Sequence, residues 1–411
     1  MRELGHQEKR LRSWLAANDA RGRPIAVTLG GSPNGLSFAR SLGRRGVPVL
    51  MIESERSLGT YTRYANAVLL PPAEEAPEAW IGLLELVGSR LSKPGVLFPT
   101  GDVHTLLLSR HRDVLDRRFR LVVPGPETVE RIVNKRLQYG VAQATGIPVP
   151  RAYFPETDEE LRRLSGALPY PVLLKPYESH VARRTMGRKV IVVASETELV
   201  SAYAEFAGRD LPVMVQEIVP GDDTTLFGYL AFFDEDGVEV AWLTKQKLRQ
   251  HPAQFGDGSL QVTVDAPEVA ALSRRLLGAF DVRGFVGVEF KRDARSGTYY
   301  LMEINPRTVS GNQLAISAGV DFPWIGYQYL TGSRPNTSHD PPFRLHVTYV
   351  NEALDVFAYA ALRKSRAMSL RHWLGSLRGA TARAIWARDD PLPLIIGLSR
   401  LALSLVPRRA R

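Results

Sequence analysis

Cysteine is absent from all 411 positions, which removes disulfides, thiolate metal sites and cysteine nucleophiles together. Histidine is scarce, and His104, His180 and His251, which fall in candidate loops, lack the paired spacing of a metal site. They read as solvated or structurally hydrogen-bonded groups. No Walker A loop, Ser-His-Asp order or protein-kinase signature is present. The first 23 residues are polar and charged with no apolar run, so no secretory signal is expected there. Together with the missing cysteines this points to a reducing, cytoplasmic setting.

Acids are also scarce, but only at one end. From Ala361 to Arg411 there are eleven Lys or Arg against two acids, Asp389 and Asp390, although the whole chain carries a net charge of only +10. The preceding 360 residues are therefore nearly neutral. A nucleic-acid reader carries its basic stripe on a folded recognition surface, and no such motif is present, so no nucleic-acid partner is expected. Forty-four per cent hydrophobic and 23 per cent charged residues are ordinary globular values. The length allows about two or three domains of roughly 100 to 200 residues.

Residues 24–53 read as strand, glycine-rich turn, helix and strand: Ile25 to Leu29, Gly30-Gly31-Ser32-Pro33-Asn34-Gly35, Leu36 to Arg45, and Val47 to Ile52. The turn lacks the G-x-G-x-x-G spacing of dinucleotide folds. Its glycines fit either close approach to a ligand or a tight turn alone. A strand from Gly95 to Pro99 and a helix from Val103 to Leu115 continue the α/β pattern. Beyond Asn134 a helix to Thr145 is stopped by Gly146-Ile147-Pro148-Val149-Pro150, and an α+β pattern then runs to about Thr331. Its expected strands are Val172 to Lys175, Lys189 to Ala194, Val213 to Val219, Leu226 to Phe233, Val238 to Thr244, Gly284 to Lys291 and Thr298 to Ile304. Thr244 to Ser259, dense in cations and glycine, reads as an anion-facing loop.

Gly284 to Arg307 carries the most information. GFVGVEFKRD and TYYLMEINPR flank Ala294-Arg295-Ser296-Gly297, which predicts a β-hairpin. With the turn centred on Ser296, Glu289 and Glu303 stand opposite each other, their Cβ atoms about 4.5 to 5.5 Å apart. Asn305 shares their face, while Val288, Phe290, Met302 and Ile304 are expected on the other, in the core. Two carboxylates so close repel, and magnesium takes such oxygens together with substrate phosphates. Solvated acids, or acids paired with Lys291 and Arg292, would give the same pattern.

MEINPR, preceded by VEF, resembles the metal-binding end of ATP-grasp ligases. NKRLQYGVAQATGIPVP resembles that family's entry into its ATP-binding domain, PVLLKP its phosphate-contacting lysine strand, and VMVQEIVPGDD the hinge framing adenine. The resemblance spans about Ala26 to Thr331 and is nearest to carboxylate-amine ligases of the D-aspartate ligase and carbamoyl phosphate synthetase kind. It implies an α/β chain with three parts. These are a Rossmann-like pre-ATP-grasp domain over 24–133, an α+β ATP-grasp domain over 134–335, and a basic, partly amphipathic helical C-terminal tail over 343–411.

The same resemblance implies that Lys135 and Lys175 contact the ATP phosphates and that Glu217 and Val219 meet adenine largely through their backbone. Asp223, or failing that Asp222, accepts from the ribose. Glu289, Glu303 and Asn305 hold magnesium, with two ions expected and manganese as a substitute. Arg307 neutralises charge on the transferring phosphoryl group, and Lys245 approaches the γ-phosphate. Arg249 is expected to anchor the substrate carboxylate, able to grip it bidentately. A phosphate-covering loop is expected at Glu178 to Arg188, with Arg183, Arg184, Gly187 and Arg188.

The implied activity is an ADP-forming ligase that activates a small-molecule carboxylate as an acyl phosphate and joins it to an amine. Alternatives are phosphotransfer to a small molecule, and a non-catalytic ATP-binding scaffold at a membrane. Leu394, Leu398, Leu401 and Leu405 recur at helical spacing with Gly397, Arg400, Ser404 and Arg408 on another face. Such a helix is too short and too charged to span a bilayer. It fits peripheral lodging at the inner membrane face, packing on the body, or a homodimer contact.

Overall fold

The computed structural model describes residues 2–177, 190–209, 211–333, 335 and 343–405. Among them the strands form three sheets. The first is parallel, ordered β3-β2-β1-β4-β5, with β1 Ala26–Leu29, β2 Val49–Glu53, β3 Asn66–Leu69, β4 Gly95–Pro99 and β5 Phe119–Arg120. Strands β1, β2 and β4 are buried along their whole length, as expected of short apolar runs covered on both faces. One cover is the helix Arg2–Asp19, which sequence reading passed over as merely polar; its Leu11 and Leu15, one turn apart, are buried in that core.

The helix after β1 starts at Pro33, three residues before the expected Leu36, because proline with its fixed φ suits a first turn. The glycines of that turn serve packing. A Cβ on Gly35 would come within 2.0 Å of the Gly30 carbonyl oxygen, so helix and strand meet backbone to backbone. Gly30 itself has φ +101, a conformation that favours glycine.

A four-stranded sheet, β6-β9-β7-β8, is built from β6 Ala152–Tyr153, β7 Val172–Pro176, β8 Ile191–Val193 and β9 Val213–Glu217. The largest sheet runs β14-β13-β10-β11-β12-β15-β16. Its strands are β10 Leu226–Phe233, β11 Glu239–His251, β12 Asp257–Thr263, β13 Gly284–Arg292, β14 Tyr299–Asn305, β15 Thr348–Val350 and β16 Ala380–Arg383.

The structure departs from two expectations. Thr244 to Ser259 is largely a hairpin, because β11 continues to His251 and β12 begins at Asp257. Its cations alternate with residues facing the opposite side, which a count of charge conceals. The C-terminal region is more than a helical tail. Its β15 pairs antiparallel with β12, and β16 pairs parallel with β15, so it completes the large sheet. Both are too short to show a period in sequence.

Two of the region's acids, Asp389 and Asp390, fasten it to the parallel sheet. Arg40, 2% exposed, donates to the Asp390 carboxylate at 2.9 Å, and Thr62 and the Arg63 amide donate to it as well. Arg44 and Tyr64 hold Asp389. The helix Leu392–Leu405 lays one face on the body, where Gly397 meets Leu58 and Arg400 donates to the Arg56 carbonyl. Leu392, Ile395 and Leu398 stay exposed. No helix among the described residues is long and apolar enough to cross a membrane.

Candidate active site

A cleft of about 330 Å³ opens between the four-stranded sheet and the large one, within the size range of small-molecule sites. Its apolar lining is Leu173, Val190, Ile218, Val219, Leu226 and Met302. The same wall carries Lys135, Lys175, Lys245, Lys247, Lys291 and Arg307, against Asp102, Asp257, Glu289 and Glu303. Six cations against four carboxylates leave a positive excess, which suits a polyanion with a flat apolar part.

The β13–β14 hairpin forms as expected, with Glu289 directly opposite Glu303. A bulge follows at once, so Phe290 faces Leu301. It shifts the alternation: Leu301 takes the core position and Met302, expected in the core, turns into the cleft. Asn305 donates to Glu303 at 3.1 Å and accepts from Arg307 at 3.1 Å. Lys247 grips Glu289 at 2.7 Å and Lys135 approaches Glu303 at 3.9 Å. The acids are thus paired with Lys247 and Lys135, not with Lys291 and Arg292.

Lys135 opens the helix Lys135–Ala144, whose first turn is capped by Asn134 accepting from the amides of Arg136 and Leu137. Lys175, at the end of β7, donates to Gln216 at 3.1 Å, and the buried Tyr139 hydroxyl donates to the same oxygen. Burial, with Lys135 nearby, lowers the Lys175 ammonium to about 8. Lys245 is lowered to about 8 as well, by burial and by Lys247. Lys247 is raised: burial alone would lower it, and the Glu289 carboxylate overrides that.

Arg307 enters the cleft from beyond β14 and forms a fork with Asp102, at 2.7 and 3.1 Å. Asp102 opens the helix Asp102–Arg110 that follows β4, so the parallel-sheet part of the chain contributes a carboxylate to this wall. Burial by itself would lower Arg307, but Asp102 raises it overall.

Other site expectations fare differently. Arg249 is not brought to the cleft. Bulges between Lys247 and Gln250 turn it to the far side of β11, where its guanidinium, 3% exposed, forks onto Asp355 at 2.8 and 2.8 Å. Ser259 and Trp373 donate to the same carboxylate. Asp223 also stands behind the wall: its carboxylate accepts from the Gln250 amide and side chain and from the Gln254 amide. Asp222 caps Thr224. Val219 lines the cleft, whereas the Glu217 carboxylate turns toward Arg151 at 3.8 Å and its neighbours Gln216 and Ile218 form the wall. The loop Glu178 to Arg188, with Arg183, Arg184, Gly187 and Arg188, lies outside the described residues, as does His180.

Sequence reading missed Asp102, Gln216, Lys247 and Met302. Lys247 was accessible, since it shares the period-2 face of Lys245. Among the described residues no group of three His, Cys, Asp or Glu could cage a metal. Glu289, Glu303 and the Asn305 amide nevertheless fit magnesium, which binds through one or two carboxylates and completes its octahedron with phosphate oxygens and water.

Residues 212–353 match the protein family described as "ATP-grasp in the biosynthetic pathway with Ter operon". D-aspartate ligase of Enterococcus faecium is 26% identical over 298 residues, covering 69% of this chain and 71% of that protein. Among solved structures, an ADP complex of N5-carboxyaminoimidazole ribonucleotide synthetase aligns over 84% of this chain and 86% of that one, with TM-score 0.62 and 14% identity. L-amino acid ligase from Bacillus licheniformis aligns over 79% of this chain and 78% of that one, with TM-score 0.61 and 15% identity. The architecture is that of the ATP-grasp fold. The chain is similar to ligases in sequence and in fold.

Proposed function

We propose that the chain is a carboxylate-amine ligase that forms an amide through an acyl phosphate, releasing ADP and phosphate. The observation that carries this reading is the opposed pair Glu289 and Glu303, with Asn305 beside them, in a cleft whose cations outnumber its acids. A pure nucleotide-binding scaffold has no need of two apposed carboxylates at the phosphate end.

Adenine takes the apolar wall of Leu173, Ile218, Val219 and Met302. Lys175 and Lys135 hold phosphate oxygens. Glu289, Glu303 and Asn305 would hold two magnesium ions, replaceable by manganese, which supply charge neutralisation on the β- and γ-phosphates. Lys247 and Lys135, now paired with the acids, then become free to contact phosphate oxygens. Lys245 approaches the γ-phosphate, and Arg307 faces the transferring group.

A carboxylate oxygen of the acid substrate bonds to the γ-phosphorus while the bond from that phosphorus to the β,γ-bridging oxygen breaks, giving ADP and an acyl phosphate. The amine nitrogen next bonds to the activated carbonyl carbon. The carbon–oxygen bond to phosphate breaks, and the amine proton passes to water or phosphate. The expected substrates are a small carboxylate and a small amine, because the cleft has the volume of a small-molecule site.

The test is ADP formation from ATP and magnesium with and without a pool of amino acids, amines and carboxylates, with Glu303→Ala as the blank. Stimulation by the pool that disappears in the blank supports the ligase. ATP binding with no ADP under any condition contradicts it.

A further inference from the structure

A second cavity, of about 320 Å³, lies outside the catalytic cleft. It sits among the helix Pro33–Gly43, the helix Asn312–Ala318, β16 and the segment leading to Asp390. Its wall holds Arg40, Arg44, Arg383 and Arg388 and no carboxylate. Arg40 and Arg44 are already paired, with Asp390 and Asp389 respectively. Those are the only acids between Ala361 and Arg411, so this region keeps none of its own for Arg383 and Arg388. Both of these guanidiniums are exposed. Thr381, Gln313 and Ser317 add hydrogen-bonding groups, and Trp386, 43% exposed, offers a flat face at the rim.

We propose that this cavity is a binding site for a small polyvalent oxyanion, gripped by Arg383 and Arg388. Guanidinium forks match the geometry of phosphate and carboxylate oxygens. The paired Arg40 and Arg44 form a fixed backing, and the Trp386 ring stands at the rim, where it reports occupancy. With Arg40 and Arg44 offset by their own acids, the guanidiniums of Arg383 and Arg388 give the wall its positive charge, which raises the local anion concentration. The site also shares a structural element with the catalytic cleft. The segment just before the helix Asn312–Ala318, Ser310 and Gly311, lines the cleft, while Gln313 and Ser317 of that helix line the second cavity.

The experiment is a titration of the full chain with inorganic pyrophosphate and, separately, citrate, followed by tryptophan emission. It is carried out on the native protein, on Trp386→Phe and on Arg383→Glu/Arg388→Glu. The catalytic cleft has no tryptophan in its wall, so the difference between native and Trp386→Phe reports this cavity. The expected result is a saturable change in the native protein, absent in Trp386→Phe and shifted about tenfold or more to higher concentration in the charge-reversed variant. Which anion saturates distinguishes a phosphoryl from a polycarboxylate ligand. No saturable change with either anion overturns the proposal, as does an unshifted titration in the charge-reversed variant with native circular dichroism. Binding is read without turnover, so the outcome is independent of the ligase reading.

Discussion

Arg307 and Asp102 stand 205 positions apart in the chain, yet the guanidinium forks onto the carboxylate at 2.7 and 3.1 Å inside the catalytic cleft. Asp102 is fixed by the parallel sheet and Arg307 by the end of β14, so the pair sets where that cation points. Asp102→Asn keeps the shape but weakens the charge-assisted fork. The expected outcome is a fall of roughly tenfold or more in kcat for ligation, with the ATP dissociation constant changed by less than about twofold. Steady-state kinetics alongside direct nucleotide binding check it. An equal loss in both would place Arg307 on ground-state ATP instead.

A second prediction concerns protons. Lys175 and Lys245 both sit at about 8 in the ligand-free cleft. A polyanion binds the ammonium forms more tightly, so it raises both values and draws protons from solution. At pH 8 binding of magnesium ATP should take up roughly one proton in total, each lysine starting half-protonated. Uptake should vanish below about pH 7, and affinity should fall as pH rises beyond 8. Calorimetry in buffers of different ionisation enthalpy measures this directly. Proton release at pH 8 would contradict the assignment of these lysines to the phosphates.

His104 supplies a stability prediction of opposite origin. Its imidazole stacks on Trp80 at 5.1 Å, and its Nδ1 is buried without a hydrogen-bond partner. Burial, reinforced by Arg307, lowers it to about 4 from 6.5. Between those values the unfolded chain binds the proton and the folded one does not, so stability falls as pH drops from about 6.5 to about 4. The loss from this group is up to about 3 kcal/mol. Denaturant melts across that range should show the slope, and His104→Gln should flatten it.

Arg249 separates a structural cation from a catalytic one. Its fork with Asp355 is nearly solvent-free, the side chains being 4% and 1% exposed. Asp355→Ala leaves that guanidinium buried and unpaired, at a cost of about 3 to 5 kcal/mol. Activity per folded molecule should be unchanged, as should the KM for the acid substrate. A thermal melt and an active-site titration give the two numbers, and a raised KM without destabilisation would restore Arg249 to the substrate.

How much of this was legible in the sequence depends on distance along the chain and on local regularity. The apposition of Glu289 and Glu303 follows from period 2 and a four-residue turn, both local. Lys135 sits at a recognisable helix start and Lys175 at a recognisable strand end. Met302 was expected in the core because a bulge inverts the alternation and leaves no sequence mark, and Arg249 was expected in an anion-facing loop where the chain instead forms a bulged strand. Asp102 was beyond reach for another reason: nothing near it shows that the end of β4 meets the end of β14. The strands β15 and β16 are three and four residues long, too short for any periodicity.

The central claim is that the acid substrate attacks the γ-phosphorus and later surrenders one oxygen to phosphate. Once an acid that stimulates ADP formation is found, that acid should be supplied with oxygen-18 in both carboxylate positions, together with ATP, magnesium and the amine. Mass analysis of the released phosphate should show one labelled oxygen per turnover, equal to the ADP formed. Unlabelled phosphate at the same turnover would mean that water, not the carboxylate, takes the phosphoryl group, and the acyl phosphate route would be wrong.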